Sequence, residues 1–155
     1  MKILVLSDSH RTMRYMQQAI EDEHPQHVIH LGDHCSDADE LQRLYPMLPI
    51  LSVRGNCDHD ITCREIAVAE IGGYRFFVTH GHRHRVKQGM LSFELAAREA
   101  SADVALFGHT HLGFCECYNG LWILNPGSCG SGSKPSYGLV EIKDGSVSCR
   151  LKYFE

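Results

Sequence analysis

Apolar positions along the first part of the chain switch between two spacings. Ile3 to Leu6 is a continuous apolar run closed by the polar Ser7-Asp8-Ser9, and it reads as a buried strand. Over about residues 12–23 the apolar positions recur at helical spacing, with Met13, Met16, Ala19 and Ile20 on one face and Pro25 as the stop. Core packing is enough to explain the two methionines. Val28 to Leu31 predicts a second strand, about 37–45 a short helix opening at Ser36 or Asp37, and Ile50 to Val53 a third strand. Such a β-α-β-α-β series predicts parallel strands joined by helical crossovers.

Strands dominate the remainder. Arg64–Ile71 and Tyr74–Thr79 flank Gly72-Gly73, a hairpin signal. A helix is predicted over about 88–100, with Met90, Leu91, Leu95 and Ala96 turned inward, and Val104 to Phe107 as the next strand. Strands over about 112–118, 121–124, 137–143 and 146–153 follow, with Asn119-Gly120 and Asp144-Gly145 where two-residue turns belong. Gly127 to Ser136 is rich in Gly, Ser and Pro. It reads as a loop, because strands on both sides still need partners. The expectation is a single domain over 1–155 of the α/β class, a mixed two-sheet β sandwich flanked by helices.

The polar residues that close these strands carry the chemistry. Asp8 and His10, Asp33, Asn56, His80, and His109 with His111 each follow an apolar strand. Taken singly, the first three motifs are weak, and His80-Gly81-His82 and His109-Thr110-His111 are more telling. An Asp after a strand often caps a helix, and Gly32-Asp33 or Gly55-Asn56 is ordinary turn chemistry. Together they form a donor set of imidazoles, carboxylates and one amide oxygen, which suits divalent Mn, Fe, Zn or Co. Seven ligands exceed the needs of one tetrahedral ion but suit two ions sharing a carboxylate, the usual apparatus for hydrolysing phosphate esters. As a strand continuation, His109 and His111 share a face; in a turn they reach two different ions.

Charge and cysteine usage narrow the class. A net charge of -4 and a pI near 6.2 argue against a protein that holds nucleic acid by bulk electrostatics. Seven cysteines, with no C-x-x-C pair and no secretory layout at Met1-Lys2-Ile3, predict reduced thiols in a cytoplasm. No apolar run suggests a membrane span. Arg54, His82, Arg83, His84 and Arg85 are the concentrated basic residues, and Arg is suited to bidentate phosphate binding. Arg85 and Lys87 read equally as solvated surface.

The order D-x-H, GD, GN, H and GHTH resembles the calcineurin-like metallophosphoesterase superfamily. Val53–Asp58 (VRGNCD) and Leu124–Ser128 (LNPGS) resemble its small prokaryotic phosphodiesterase branch. The resemblance spans essentially the whole chain and implies a four-layer αββα fold. It implies Asp8, His10 and His111 on one metal, Asn56, His80 and His109 on the other, and Asp33 bridging. Manganese is the first candidate, with Fe, Zn, Co or Ni as alternatives. The implied reaction is attack of a metal-bridging hydroxide on a small phosphodiester. Asp33, Asn56, Cys57, Asp58 and His82 are expected nearest the chemistry, and Arg54, Asn56 and His82 toward the substrate. One position departs from many superfamily members, which carry a histidine after the GN asparagine; here it is Cys57, either a specificity mark or a packing thiol. Two rivals stand beside this reading: a phosphomonoesterase or nuclease on the same metals, and a non-catalytic scaffold like the retromer subunit of this fold. A homodimer or higher homo-oligomer is also expected.

Overall fold

In the first strand, β1 (Lys2–Leu6), Ile3 to Leu6 are all fully buried, so both faces of the strand are covered. Successive side chains point to opposite faces, and a strand buried on both must lie between two layers. The computed structural model, which describes residues 1–130 and 132–155, shows what those layers are. Ile3 and Val5 face a second sheet, while Leu4 and Leu6 face helices.

The first sheet has the order β10 (Ser146–Tyr153), β9 (Ser136–Lys143), β1, β2 (His27–His30), β3 (Ile50–Ser52). The second has the order β4 (Ile66–Ile71), β5 (Tyr74–Thr79), β6 (Val104–Leu106), β8 (Leu121–Asn125), β7 (Phe114–Tyr118). Both are mixed: β1-β2-β3 and β5-β6-β8 pair in parallel, and the hairpin partners pair antiparallel. Ile29, Leu31, Phe76, Val78 and Leu106 join Ile3 and Val5 in the core between the sheets. On the outer face of the first sheet, Met16, Ala19 and Ile20 of α1 (Met13–Glu23) and Leu41 of α2 (Cys35–Leu44) pack on Leu4, Leu6 and Val28. On the other side, Phe93 and Ala97 of α3 (Leu91–Glu99) cover Phe77, Ala105 and Ile123. The architecture is the expected two-sheet sandwich with helices outside.

Two local expectations are corrected, and one short element is new. The helix α3 buries Phe93 and Ala97, whereas Leu91 and Leu95, expected inward, are 70% and 57% exposed. The Phe93 ring lies 4.9 Å from Phe107 and 5.8 Å from Phe77 between centroids, and one large ring in contact with two others outweighs two leucines. Helix α2 opens at Cys35, after a left-handed His34 (φ 70°), and neither Ser36 nor Asp37 caps it. Its cap comes from elsewhere in the chain, as the Cys35 amide donates to Asp58 Oδ1 at 2.8 Å. A single 3-10 turn over His82–His84 was not foreseen. No helix among the described residues is long and apolar enough to cross a membrane, and the seven cysteines are all free thiols.

Candidate metal centre

Asp8, Asp33 and Asn56 follow the carboxyl ends of β1, β2 and β3, which run parallel in one sheet. His80 and His109 follow β5 and β6, parallel in the other. Five strand ends from two sheets therefore deliver their polar groups to one rim. The backbone turns sharply there. Asp8, His10, Asp33, His109 and His111 have φ of 54°, 46°, 55°, 68° and 61°. Each such left-handed residue costs about 1–3 kcal/mol and persists only where its surroundings hold it, a pattern concentrated at functional sites. Because His109 and His111 lie in a turn rather than a strand, they do not share a face.

At the centre, donor atoms of Asp8, His10, Asp33 and His111 all lie within 4.8 Å of one another. His111 Nε2 is 3.0 Å from Asp8 Oδ1, and His10 Nε2 is 4.0 Å from it. His80 supplies the sharpest test of whether a cation fits. Its Nδ1 faces the Leu31 carbonyl at 2.7 Å, an acceptor, so the ring donates its proton there. In that tautomer Nε2 carries a lone pair, yet Asn56 Oδ1 lies 3.1 Å away, Asp33 Oδ1 3.5 Å and Asp8 Oδ1 4.0 Å. Electron pairs aimed at one another suit a cation between them. His10 Nε2, buried with no hydrogen-bond partner among the described residues, fits the same reading. The His80 and His109 rings lie 5.0 Å apart.

The protonation states of Asp8 and His109 agree with ligation, and that of His111 follows its bond to Asp8. Burial alone would raise the Asp8 carboxyl, but hydrogen bonds from His111 and Ser7, with the His80 ring nearby, hold it down to about 2. Burial, with His80 and Lys87 close by, pushes His109 down to about 4, so its ring is neutral at pH 7 and keeps a lone pair. His111 is raised by its hydrogen bond to Asp8.

Several positioning residues could not be read from the motifs. Buried His30 accepts from the Gly32 amide at Nδ1, which leaves Nε2–H to donate to Ser9 Oγ at 2.9 Å. Ser9 then donates to Asp37 Oδ2 (2.7 Å), which also receives the Arg11 amide. This relay pins the turn that carries Asp8 and His10. Asn125 donates to the Gly108 carbonyl (3.1 Å) and to Thr110 Oγ1 (2.9 Å), and Ser128 donates to the Asp8 carbonyl (2.8 Å). The Asn125-Pro126-Gly127-Ser128 segment thus braces the ligand turns. Gly55 and Gly108 are close approaches: a Cβ on the first would run into Asp33 Oδ1, and one on the second into Ser7 Oγ.

The remaining residues expected near the chemistry fall into different places. Asp58 accepts from the amides of Gly55 (2.9 Å) and Cys35 (2.8 Å), so its carboxylate ties the Asn56 loop to α2. Cys57 is exposed; burial of its sulfur and the nearby Asp33 carboxylate raise its thiol, which is neutral at pH 7. Its amide donates to Asp33 Oδ1 at 3.0 Å. Arg54 pairs with Glu65 at 2.7 Å, and Glu65 also takes Arg83 at 3.1 Å, so two arginines of the basic patch share one carboxylate within the fold. Glu65 carries no motif signal. The His82 ring lies 5.6 Å from that of His80 and 6.2 Å from that of His109; its Nδ1 has no hydrogen-bond partner among the described residues, and burial and His80 lower its pKa. His84 is turned away, edge-on to Phe77 and Phe93.

Residues 1–145 match the calcineurin-like phosphoesterase superfamily domain. The chain belongs to that superfamily. As a calcineurin-like phosphoesterase it is a metal-dependent enzyme acting on phosphoesters, with small prokaryotic relatives. It is 38% identical over 129 residues to a probable metallophosphoesterase (YsnB) of Bacillus subtilis, covering 83% of this chain and 75% of that one. It is 31% identical over 149 residues to a phosphodiesterase of Methanocaldococcus jannaschii, covering 83% and 84%. A predicted phosphoesterase from Streptococcus pneumoniae superposes with a TM-score of 0.83 at 27% identity, covering 98% of this calcineurin-like chain and 88% of its own. A Vps29 variant from Entamoeba histolytica gives 0.78 at 25%, with both chains fully covered.

Proposed function

We propose that the protein is a phosphodiesterase working with two divalent cations, manganese first among them. The observation that carries the reading is the convergence of lone pairs from Asp8, Asp33, Asn56 and His80, with His10 and His111 completing one side. In this reading Asp8, His10 and His111 hold one ion and Asn56, His80 and His109 the other, with Asp33 between them. When bound, two dications neutralise phosphate oxygens and acidify a water. The chain's own residues do the rest. Asp33, which accepts from the Cys57 amide, would be the carboxylate shared by the two ions. His82, its ring 5.6 Å from that of His80 and neutral because burial lowers its pKa, would orient the departing oxygen by a hydrogen bond from its ring N–H. Cys57 supplies a neutral, weakly donating thiol where an imidazolium would favour a monoester dianion, and the similarity to an archaeal phosphodiesterase supports the same preference.

The test is hydrolysis of p-nitrophenyl phosphodiester and monoester by chelator-stripped protein with manganese restored. The reading requires metal-restored diester turnover with the monoester much slower. A metal-loaded protein inert to both favours the second reading, a protein-interaction scaffold. That reading draws support from the Vps29 likeness and from the exposed apolar Ile66, Val68, Leu91 and Leu95, which also offer a surface to a second copy of the chain.

A further inference from the structure

Beside the ligand turn lies a groove of 510 Å³ lined by Val86, Met90, Phe107, Leu112 and Phe114, together with Thr110. Thr110 is the residue between His109 and His111, so groove and metal centre share one turn. Leu112, directly after His111, is 74% exposed. The hydration of so large an apolar side chain is unfavourable, and nothing in the fold relieves it. One charge marks the rim. Lys87 lines the groove and is its one charged residue. Leu112 also lines a second groove of 400 Å³, together with His111, Lys134, Ser136 and Tyr153.

We infer that the apolar groove receives an aromatic or bulky apolar organic group of the phosphate ester, while Lys87 at its rim pairs with a phosphate oxygen. The inference rests on the phosphoesterase reading and narrows its substrate class. An anion at the metal centre with an apolar arm matches what the surface offers: cationic rim, apolar trough, continuous through Thr110. Burying a phenyl ring in such a trough strengthens binding by about tenfold or more over a methyl group.

Calorimetric titration of manganese-loaded protein with phenylphosphonate and methylphosphonate tests this without turnover, since each carries one organic group and neither is hydrolysed. Phenylphosphonate is expected to bind about tenfold tighter or more. In Leu112→Ser and Met90→Ser the advantage collapses while methylphosphonate binding is unchanged, and Lys87→Gln weakens both ligands alike. Leu112 is exposed, so its replacement leaves the fold intact, with a melting curve as the check. Equal affinity of the two phosphonates for the unsubstituted protein overturns the groove and leaves the phosphoesterase reading standing. Failure of both to bind the metal-loaded protein likewise overturns the groove, while turnover of the p-nitrophenyl diester decides the phosphodiesterase reading separately.

Discussion

The side-chain amide of Asn125 donates to the hydroxyl of Thr110 at 2.9 Å, and Thr110 stands between His109 and His111. The same amide nitrogen reaches the Gly108 carbonyl, so one residue at the end of β8 holds a whole turn of candidate ligands in a left-handed conformation. Asn125→Ala leaves that turn unbraced. Manganese affinity is expected to fall about 10–100-fold, the usual cost of losing a group that orients ligands. The fold should lose about 1–3 kcal/mol from unpaired buried groups. Metal titration and thermal melting measure the two effects separately, and unchanged affinity in a destabilised protein would sink the bracing role.

Asp33 lies among the other donors, with Oδ1 3.5 Å from His80 Nε2 and a partner of the Cys57 amide. Asp33→Ala is expected to reduce bound manganese from two ions per chain to one or fewer and to abolish diester turnover. Elemental analysis of the re-metallated variant gives the stoichiometry. Full activity in that variant would refute a bridging role.

At position 57 an imidazole can give a proton that a neutral thiol gives poorly. Cys57→His is expected to raise monoester turnover relative to diester by about tenfold. The residue is exposed, so the substitution has room. Parallel kinetics on the two p-nitrophenyl esters give the ratio; an unmoved ratio takes Cys57 out of the specificity argument.

Far from the rim, buried Glu23 gathers Lys2, Lys152 and the Tyr137 hydroxyl. Burial works to raise its carboxyl, but hydrogen bonds from Lys152, Tyr137 and Lys2 outweigh it and bring the group from 4.5 to about 2. A depressed folded pKa contributes stability that is complete above the unfolded value and lost as pH falls. The protein should therefore lose stability from about pH 4.5 down toward pH 2. Glu23→Gln removes this part of the acid dependence and costs about 1–2 kcal/mol at neutral pH, discounted for the half-exposed Lys152. Urea melts at several pH values reveal whether the acid slope flattens.

Both the layering and the order of candidate ligands were legible in the chain. Runs such as Ile3 to Leu6 declare burial on both faces, and the turn residues after each run mark the strand ends, because side-chain alternation and turn chemistry are local properties. The face of α3 was not legible. Leu91 and Leu95 fit a helical stripe as well as Phe93 and Ala97 do, and the choice depended on Phe77 and Phe107, which the fold brings in from other strands. The cap of α2 by Asp58, the neutralising of Arg54 by Glu65, and the bracing of Asp8 by Ser128 likewise join residues separated by 23, 11 and 120 positions. Sequence by itself determined which groups arrive at strand ends. Only the tertiary structure decided which of them face one another, because hydrogen bonds and ring contacts act over a few ångströms in space, whatever the distance along the chain.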